Sequence, residues 1–152
     1  MNSPLADQLA DHVGRTIRSP DVSVTPDMLG HFERGTLLDI AYVDDSDAGY
    51  ESDMVPGFLT LSLIDALGVM TPELRVDGTY ALNYGLDRVR FVEKVHIGDE
   101  VHAHFQTLSV HPRGGGFLVR RTATVERTSD DAVVAVMDLL LLLLPSSSGE
   151  QA

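Results

Sequence analysis

The 152-residue sequence predicts a single α+β domain in which an antiparallel sheet wraps around one long central helix. The apolar stretch Phe58–Met70 is too long for a typical buried strand and is rich in Leu, Ala and Met, so it favours a buried helix. The second half of the chain then carries strand-like segments separated by turn residues. The last of them contains Leu139–Leu144, which has no polar face. Both faces of this strand need a cover, the helix on one side and a second copy of the chain on the other, which predicts a homodimer.

Two short helices are predicted before the central one. Apolar residues recur at helical spacing over Pro4–Arg18. Thr25 and Pro26 have the residue types of an N-cap and a first helical turn, for a helix that ends at Gly35. The segment Gly35–Asp53 carries six acidic residues and no basic one, and it is predicted to be irregular.

Four strands account for the remainder of the predicted domain. They are Tyr80–Phe91, Val101–Val110, Phe117–Arg127 and Val133–Leu144, joined by turns and by a glycine-rich loop at Pro112–Gly116. The predicted organisation is a helical extension over residues 1–24, the α+β domain over 25–145 and a disordered tail over 146–152.

Composition excludes several classes of function. The chain has no cysteine, which removes disulfides, thiolate metal sites and cysteine nucleophiles. Its formal net charge of -12 disfavours nucleic-acid binding. No secretion signal and no membrane-spanning segment are predicted, so we expect a cytoplasmic protein that does not bind membranes. No nucleotide fingerprint or phosphate-binding glycine loop is present, and no cofactor is predicted.

Basic side chains concentrate in the second half of the chain. As a group they could hold a phosphate of CoA or of phosphopantetheine, although for most of them a solvated strand position is the better interpretation. The group comprises Arg88, Arg90, Lys94, Arg113, Arg120, Arg121 and Arg127.

Two segments resemble those of MaoC-like hydratases. Gly57–Leu63 reads Gly-Phe-Leu-Thr-Leu-Ser-Leu and is similar to the start of that family's central helix. Asn83–Phe91 (Asn-Tyr-Gly-Leu-Asp-Arg-Val-Arg-Phe), followed by Val95–Val101, is similar to the strand-turn-strand after it. The resemblance covers Thr25–Pro145. It implies a hot-dog fold, a dimer, and a substrate held as an acyl-CoA or acyl-carrier-protein thioester near the dimer interface.

The chain departs from the family where the catalytic pair should lie. The family pattern is Phe-Ala-x-x-Ser/Thr-Gly-Asp-x-Asn-Pro-Leu-His-x-Asp, and Phe32–Asp45 aligns with it without gaps. Leu38 then takes the place of the catalytic Asp, and Val43 that of the catalytic His. Aliphatic side chains cannot transfer protons. A one-residue shift brings Asp39 and Tyr42 near those places, although they are three residues apart rather than five.

Other site residues are predicted on the central helix. The resemblance implies that the free N–H groups at Gly57 stabilise a thioester oxygen. Asp65, the only ionisable residue between Asp53 and Glu73, is predicted to point into an apolar tunnel as the main acid/base group. Ser62 shares its helix face, at a place similar to that of a catalytic carboxylate in bacterial 3-hydroxyacyl-carrier-protein dehydratases.

The remaining candidates follow from the same resemblance. Asp39 and Tyr42 are the alternative catalytic residues, although an acidic, mobile loop explains them equally well. Four further side chains are predicted to line the substrate site: Phe58, Leu61, Val43 and Leu38. His102 and His104 would share one strand face and could bind a metal, but the sequence shows no third ligand, so no metal site is predicted.

Three functions remain open from the sequence. The leading hypothesis is an enzyme that dehydrates, isomerises or cyclises an acyl thioester or a derived polyketide-like chain, with relocated acid/base residues. A non-catalytic substrate-binding subunit of a heterodimer is the second. A thioesterase with Asp65 as base or nucleophile is the third.

Overall fold

The computed structural model describes residues 4–41 and 51–146 of the chain. Four helices come first: α1 (Pro4–His12), α2 (Pro26–Thr36), α3 (Leu38–Ala41) and α4 (Gly57–Val69), the last followed by a short 3₁₀ helix, Pro72–Leu74. Two short strands, β1 (Thr16–Arg18) and β2 (Val22–Ser23), lie between α1 and α2. The long strands are β3 (Thr79–Phe91), β4 (Glu100–Arg113), β5 (Gly116–Arg127) and β6 (Ala132–Pro145). The predicted tail beyond residue 146 lies outside the described residues.

The strands form one antiparallel sheet in the order β1-β4-β5-β6-β3, and β2 also pairs with β4. Helix α4 packs on one face, called here the inner face, against Phe105, Ala123 and Met137. The predicted α+β fold with a sheet around a central helix is confirmed. No helix in the described ranges is long and apolar enough to cross a bilayer.

Helix α4 agrees with the predicted helix to within one residue at each end, but the sheet leaves one of its sides uncovered. Leu59, Leu63 and Leu67 are buried against the sheet. Phe58 and Val69, on the other side, are 71% and 64% exposed. The expectation that α4 is buried all round is therefore wrong for the single chain, because one sheet covers only one side of a helix. The open side needs a cover from outside the described residues.

Strand β6 has two apolar faces, as predicted. Leu139, Leu141 and Leu143 pair with inner-face residues of β3 and β5, and Leu143 is buried beside α1. The alternate leucines face outward, where Leu142 pairs with Leu82 of β3. Leu82 is 46% exposed and the outward leucines of β6 are half-buried, so the described part of the chain leaves this outer apolar surface partly uncovered.

The N-terminal region differs from its predicted form. Helix α1 ends at His12 rather than Arg18, and the chain turns at Gly14, which has a φ of +82°. Ile17 then pairs with Phe105 in the sheet and packs against the main core. The periodic apolar positions belong to two elements, and pairing with β4 outweighs helix propensity. The predicted N-cap is confirmed, since Thr25 Oγ1 accepts a hydrogen bond from the Met28 amide at 3.2 Å.

A tight hairpin replaces the predicted loop between β4 and β5. Strand β4 continues to Arg113, and Gly114 and Gly115 turn the chain with φ values of +59° and +82°. These are left-handed conformations that glycine adopts without a steric cost. Gly116 then lies so close to β6 that a Cβ would be 2.0 Å from the Leu143 carbonyl oxygen. The glycine run therefore fixes the register of three strands.

A buried carboxylate joins β3, β5 and β6 on the outer face. Asp138 is 3% exposed, and Oδ2 accepts hydrogen bonds from Arg88 Nε and Arg120 Nη1, each at 3.0 Å. Thr122 donates to Oδ1 at 3.0 Å. Burial raises the pKa of Asp138, but the hydrogen bonds from Arg88, Thr122 and Arg120 outweigh burial and hold that pKa below its ordinary value. Arg120 also donates to Asp87, which lies directly opposite Asp138 in the sheet.

This network should make the fold sensitive to acid. Because the folded-state pKa of Asp138 is lowered, its stabilising effect is present above the ordinary carboxyl pKa and is lost as pH falls through the lowered value. Asp138→Asn should reduce the free energy of unfolding at neutral pH by about 1–3 kcal/mol. The difference from wild type should shrink in acid. Urea denaturation at neutral and acidic pH measures both effects.

Asp87→Asn is the matched control. Asp87 is 45% exposed and has one ion pair with Arg120, so its loss should cost under about 1 kcal/mol. An equal loss of stability in the two variants would contradict the assigned role of Asp138.

Candidate functional site: a cleft between the central helix and the sheet

A cleft of about 880 Å³ lies between α4 and strand β3. The segment that joins them, residues 74–79, lines one end of it. Its floor belongs to the inner face of the sheet, with Phe105 of β4, Arg121 of β5 and the three inner leucines of β6. The wide mouth and apolar floor suit a flexible, largely apolar ligand.

Arg121 is a buried cation in this floor. Its residue exposure is 6%, and its Nε donates a hydrogen bond to Thr107 Oγ1 at 3.3 Å. No carboxylate of a described residue lies within salt-bridge distance of its guanidinium. Burial lowers the pKa of Arg121 to about 10. The group therefore remains charged at neutral pH, without a described anionic partner, and can bind an oxygen of a ligand.

The neighbouring arginine shows the opposite arrangement. Arg120 faces the outer surface and pairs with Asp87 at 2.8 Å and with Asp138 at 3.0 Å. Adjacent residues of a strand point to opposite faces, so one arginine is neutralised while the other lies in the cleft. Arg121 is therefore an exception to the solvated strand position that the sequence favours for most of the basic group.

Three predicted site residues line the cleft: Leu61, Ser62 and Asp65 of α4. Ser62 Oγ donates to the Phe58 carbonyl oxygen, one turn earlier, at 2.8 Å. Asp65 is exposed, which differs from the expected position inside an enclosed tunnel. It lies toward the open side of α4, and the described residues leave that side without a cover. Asp65 and Ser62 are nevertheless on one face at the same cleft, as their spacing predicts.

The start of α4 lies apart from the cleft lining. A Cβ on Gly57 would be 3.1 Å from atoms of the Phe91 ring, so that ring occupies the space which the absent side chain leaves. Phe58 meets the same ring edge-to-face, with centroids 6.3 Å apart. Neither residue lines the cleft.

The alternative candidates before α4 are also separate from the cleft. Leu38 and Asp39 are on α3, where Asp39 is exposed, and neither lines the cleft. Tyr42 and Val43 lie outside the described residues. Of the predicted residues that the structure describes, only those of α4 beyond Phe58 come together at the cleft.

Sequence reasoning included Arg121 in the basic group but did not single it out as an inward-facing side chain, although a signal was present. Val119, Ala123 and Val125 are buried and alternate with polar residues along β5. Arg121 lies at one of the positions of this alternating pattern that are otherwise apolar, and these positions face the inner side of the sheet. Arg75 and Asp77, which lie at the segment that closes one end of the cleft, carried no comparable signal.

No protein-family model matches the chain. Among curated proteins it is similar to nodulation protein N of Rhizobium leguminosarum bv. viciae, with 40% identity over 83 residues, 52% of this chain and 51% of the relative. Nodulation protein N of Rhizobium meliloti (strain 1021) is 32% identical over 102 residues, 62% of this chain and 63% of the relative. The chain thus matches between half and two thirds of the length of these relatives.

Solved structures show the same fold. A MaoC-like dehydratase from Rhodospirillum rubrum has a TM-score of 0.68 at 16% identity, over 88% of this chain and 93% of that one. The C-terminally truncated 3R-hydroxyacyl-ACP dehydratase complex of Mycobacterium tuberculosis has a TM-score of 0.65 at 20% identity, over 87% and 97%. An R-hydratase from Pseudomonas aeruginosa has a TM-score of 0.59 at 21% identity, over 92% and 89%.

These comparisons confirm the resemblance at the level of fold. The chain has the hot-dog fold of MaoC-like dehydratases and R-hydratases, with α4 as its central helix. At identities of 13% to 21%, the solved structures say nothing of its individual site residues.

The unpaired charge of Arg121 should reduce the stability of the ligand-free chain. Each pKa unit by which burial disfavours the charged form is worth about 1.4 kcal/mol. Arg121→Met should therefore raise the free energy of unfolding by up to about 3 kcal/mol, since it keeps the apolar length and removes the charge. The penalty in wild type is present at neutral pH and is relieved only as pH rises above about 10.

Arg120→Met is the control on the adjacent residue, and it should lower stability because Asp138 and Asp87 lose a partner. Chemical denaturation of both variants tests the contrast. A destabilising Arg121→Met would show that Arg121 has a stabilising partner.

Proposed function

We propose that this chain is a cytoplasmic enzyme of the hydratase/dehydratase type that acts on an acyl thioester of CoA or of an acyl-carrier protein. Its acid/base residues would differ from the usual Asp/His pair. The observation that carries the proposal is the cleft beside α4, which combines an apolar floor with one buried cation and one carboxylate on its helical wall. Dehydration of a 3-hydroxyacyl thioester needs a base for the α-proton and positive charge near the enolate oxygen.

The cleft residues divide these tasks between them. Asp65 takes the α-proton, and the Arg121 guanidinium stabilises the negative charge that develops on the thioester oxygen. Asp65 then returns this proton to the 3-hydroxyl group as the C–O bond breaks, so that water leaves, a trans-2-enoyl thioester forms and the carboxylate is regenerated. Double-bond isomerisation and ring closure of a polyketide-like chain use the same proton transfer. Phe105 and Leu141 contact the acyl chain, with Leu61 and Ser62 on the helix side.

The other predicted residues have less support. The Phe91 ring covers Gly57, so a carbonyl group reaches that helix end only if the ring moves. Phe58 would contact substrate through its exposed side. Leu38, Asp39, Tyr42 and Val43 would contribute from the segment before α4, with Asp39 and Tyr42 as the alternative proton-transfer groups.

Proteins with the same fold support the thioester class. They include an R-hydratase and a 3R-hydroxyacyl-ACP dehydratase. In the ungapped alignment Leu38 and Val43 take the places of the usual pair, so we expect hydration of a simple trans-2-enoyl-CoA to be slow. General acid and base groups are worth about 10²–10⁴-fold each.

A non-catalytic binding subunit is the second candidate. The mycobacterial dehydratase of this fold is a complex, and the open side of α4 offers a surface for a partner that supplies the catalytic pair. A thioesterase is a third candidate, and no feature of the described residues favours it over the other two.

Binding of saturated acyl-CoA of increasing chain length tests the thioester proposal. Each methylene group that enters the cleft should contribute about 0.8 kcal/mol, or roughly fourfold in affinity, until the cleft is full. Arg121→Met should weaken every member of the series by a similar factor. Calorimetric titration measures both effects. Affinity that is independent of chain length would contradict an acyl site.

Turnover of 3-hydroxyacyl-CoA separates an enzyme from a binding subunit. Asp65→Asn keeps the shape of the side chain but cannot accept the proton, so the rate should fall by about 10²–10⁴-fold with acyl-CoA affinity unchanged. Asp77→Asn, at the same cleft, is the control and should retain the rate. Binding without turnover in wild type would favour the binding subunit.

We also propose that two chains form a homodimer through strand β3. Among the described residues this strand pairs with β6 alone, so its other edge presents backbone groups without a described strand partner. Leu86 on this strand is 44% exposed and lines the cleft across from the open side of α4, and Leu82 on the outer face of the same strand is 46% exposed. A second copy would cover these surfaces.

Light scattering at micromolar concentration should give twice the chain mass of 16.5 kDa. Leu82→Arg should shift the protein toward monomer. Leu108→Arg, at a residue of β4 that is 38% exposed, should leave the dimer intact. A wild-type monomer would contradict the proposed assembly.

A further inference from the structure

Three potential metal ligands meet on the outer face of the sheet. His102 and His104 lie two residues apart on β4, and Glu126 of β5 pairs directly with His102. The period-two geometry of a strand places both imidazoles on one face, and the cross-strand pair adds the carboxylate. The pairing of β4 with β5 thus supplies the third ligand, which the sequence pattern alone did not reveal.

The three ligand atoms lie within 4.8 Å of one another, and two of their separations match those around one metal ion. Nε2 of His102 is 3.4 Å from Glu126 Oε2, and Nε2 of His104 is 3.5 Å from the same oxygen. In a tetrahedral site with metal–ligand bonds of about 2.0–2.1 Å, neighbouring ligand atoms are about 3.3–3.4 Å apart. A charged hydrogen bond would instead be about 2.7–2.9 Å long. The observed spacing fits an ion between the groups better than direct hydrogen bonds.

The hydrogen bonds behind His102 orient its ring for a metal. Thr128 Oγ1 donates to Asp21 Oδ1 at 2.7 Å, so its proton is already used. The contact between His102 Nδ1 and Thr128 Oγ1, at 3.1 Å, then requires Nδ1 to be the donor. In the neutral ring this leaves a lone pair on Nε2, directed at a carboxylate oxygen. A cation between Nε2 and Glu126 removes that repulsion.

Burial distinguishes this group from an ordinary surface cluster. The His102 side chain is 3% exposed, whereas those of His104 and Glu126 are 34% and 22% exposed. One ligand is therefore held firmly by the fold, and the other two leave room for water at a fourth position. Asp21 Oδ1 lies 3.3 Å from His102 Nδ1, and a carboxylate behind a ligating histidine is a usual outer-shell partner in such sites.

A second group of metal-type ligands in the described residues lacks these features. Glu51, Asp53 and His96 lie close together, but Glu51 already contacts Lys94 at 2.7 Å and His96 at 2.6 Å. Both carboxylate oxygens are engaged at hydrogen-bond distance, which leaves no space for an ion. This second group serves as an internal control.

We propose that His102, His104 and Glu126 bind a divalent transition-metal ion of the zinc type, with Asp21 and Thr128 orienting His102. Two imidazoles and one carboxylate suit zinc or a similar ion, whereas magnesium and calcium prefer oxygen ligands alone. The residues lie on the face of the sheet opposite the cleft, so this site is independent of the proposed thioester chemistry. A bound ion would fasten the Asp21 segment to β4 and β5.

Zinc titration of untagged, chelator-treated protein tests this inference. Competition with a metal-binding indicator should show one zinc ion per chain, with an increase in melting temperature on binding. Cobalt(II), used as a spectroscopic substitute, should give visible absorption bands of a four-coordinate site with nitrogen and oxygen ligands.

Three variants locate the site. Glu126→Gln keeps the side-chain shape and should abolish the cobalt bands, and Asp21→Asn should weaken zinc binding about 10–100-fold. His96→Ala should bind zinc as wild type does. Circular dichroism checks that each variant is folded. No zinc binding by folded wild-type protein, or a loss with His96→Ala and none with Glu126→Gln, would overturn the proposal.

Discussion

Helix α4 carries apolar side chains on all sides, interrupted by Ser62 and Asp65 on one face, and a sheet can cover only one side of it. The inner face of the sheet buries Leu59, Leu63 and Leu67, which anchors the fold. Phe58 and Val69 remain exposed on the other side. The same geometry leaves a cleft between α4 and the exposed strand β3. The acyl site and the dimer interface that we propose are both consequences of this incomplete burial.

Two buried charged side chains, on opposite faces of the sheet, differ in how completely they are paired. Asp138 receives hydrogen bonds from Arg88, Arg120 and Thr122, and the cost of removing it from water is offset within the described chain. Among the described residues, the hydrogen-bond partner of the Arg121 side chain is the Thr107 hydroxyl alone. A structural charge is expected to be fully paired, whereas a charge that binds substrate must keep donors free. On this physical ground we propose that Asp138 stabilises the fold and that Arg121 binds a ligand.

Local patterns predicted the elements well where one residue type determines the geometry. Thr25 as N-cap, the Phe58–Met70 helix and the two apolar faces of β6 follow from propensity and periodicity. Long-range pairing was not readable from local patterns. Ile17 continues a helical period yet lies in a strand. Glu126 faces His102 because of the pairing register between β4 and β5, which no local pattern encodes. Asp65 is exposed because the sheet covers only one side of α4.

A crystal structure with a bound acyl-pantetheine thioester tests the central claim most directly. The account predicts that the acyl chain lies between α4 and the inner leucines of β6, with the thioester oxygen within hydrogen-bond distance of the Arg121 guanidinium. The carboxylate of Asp65 should face the α-carbon. An acyl chain that occupies another part of the molecule, with Arg121 in contact with protein groups alone, would contradict the account.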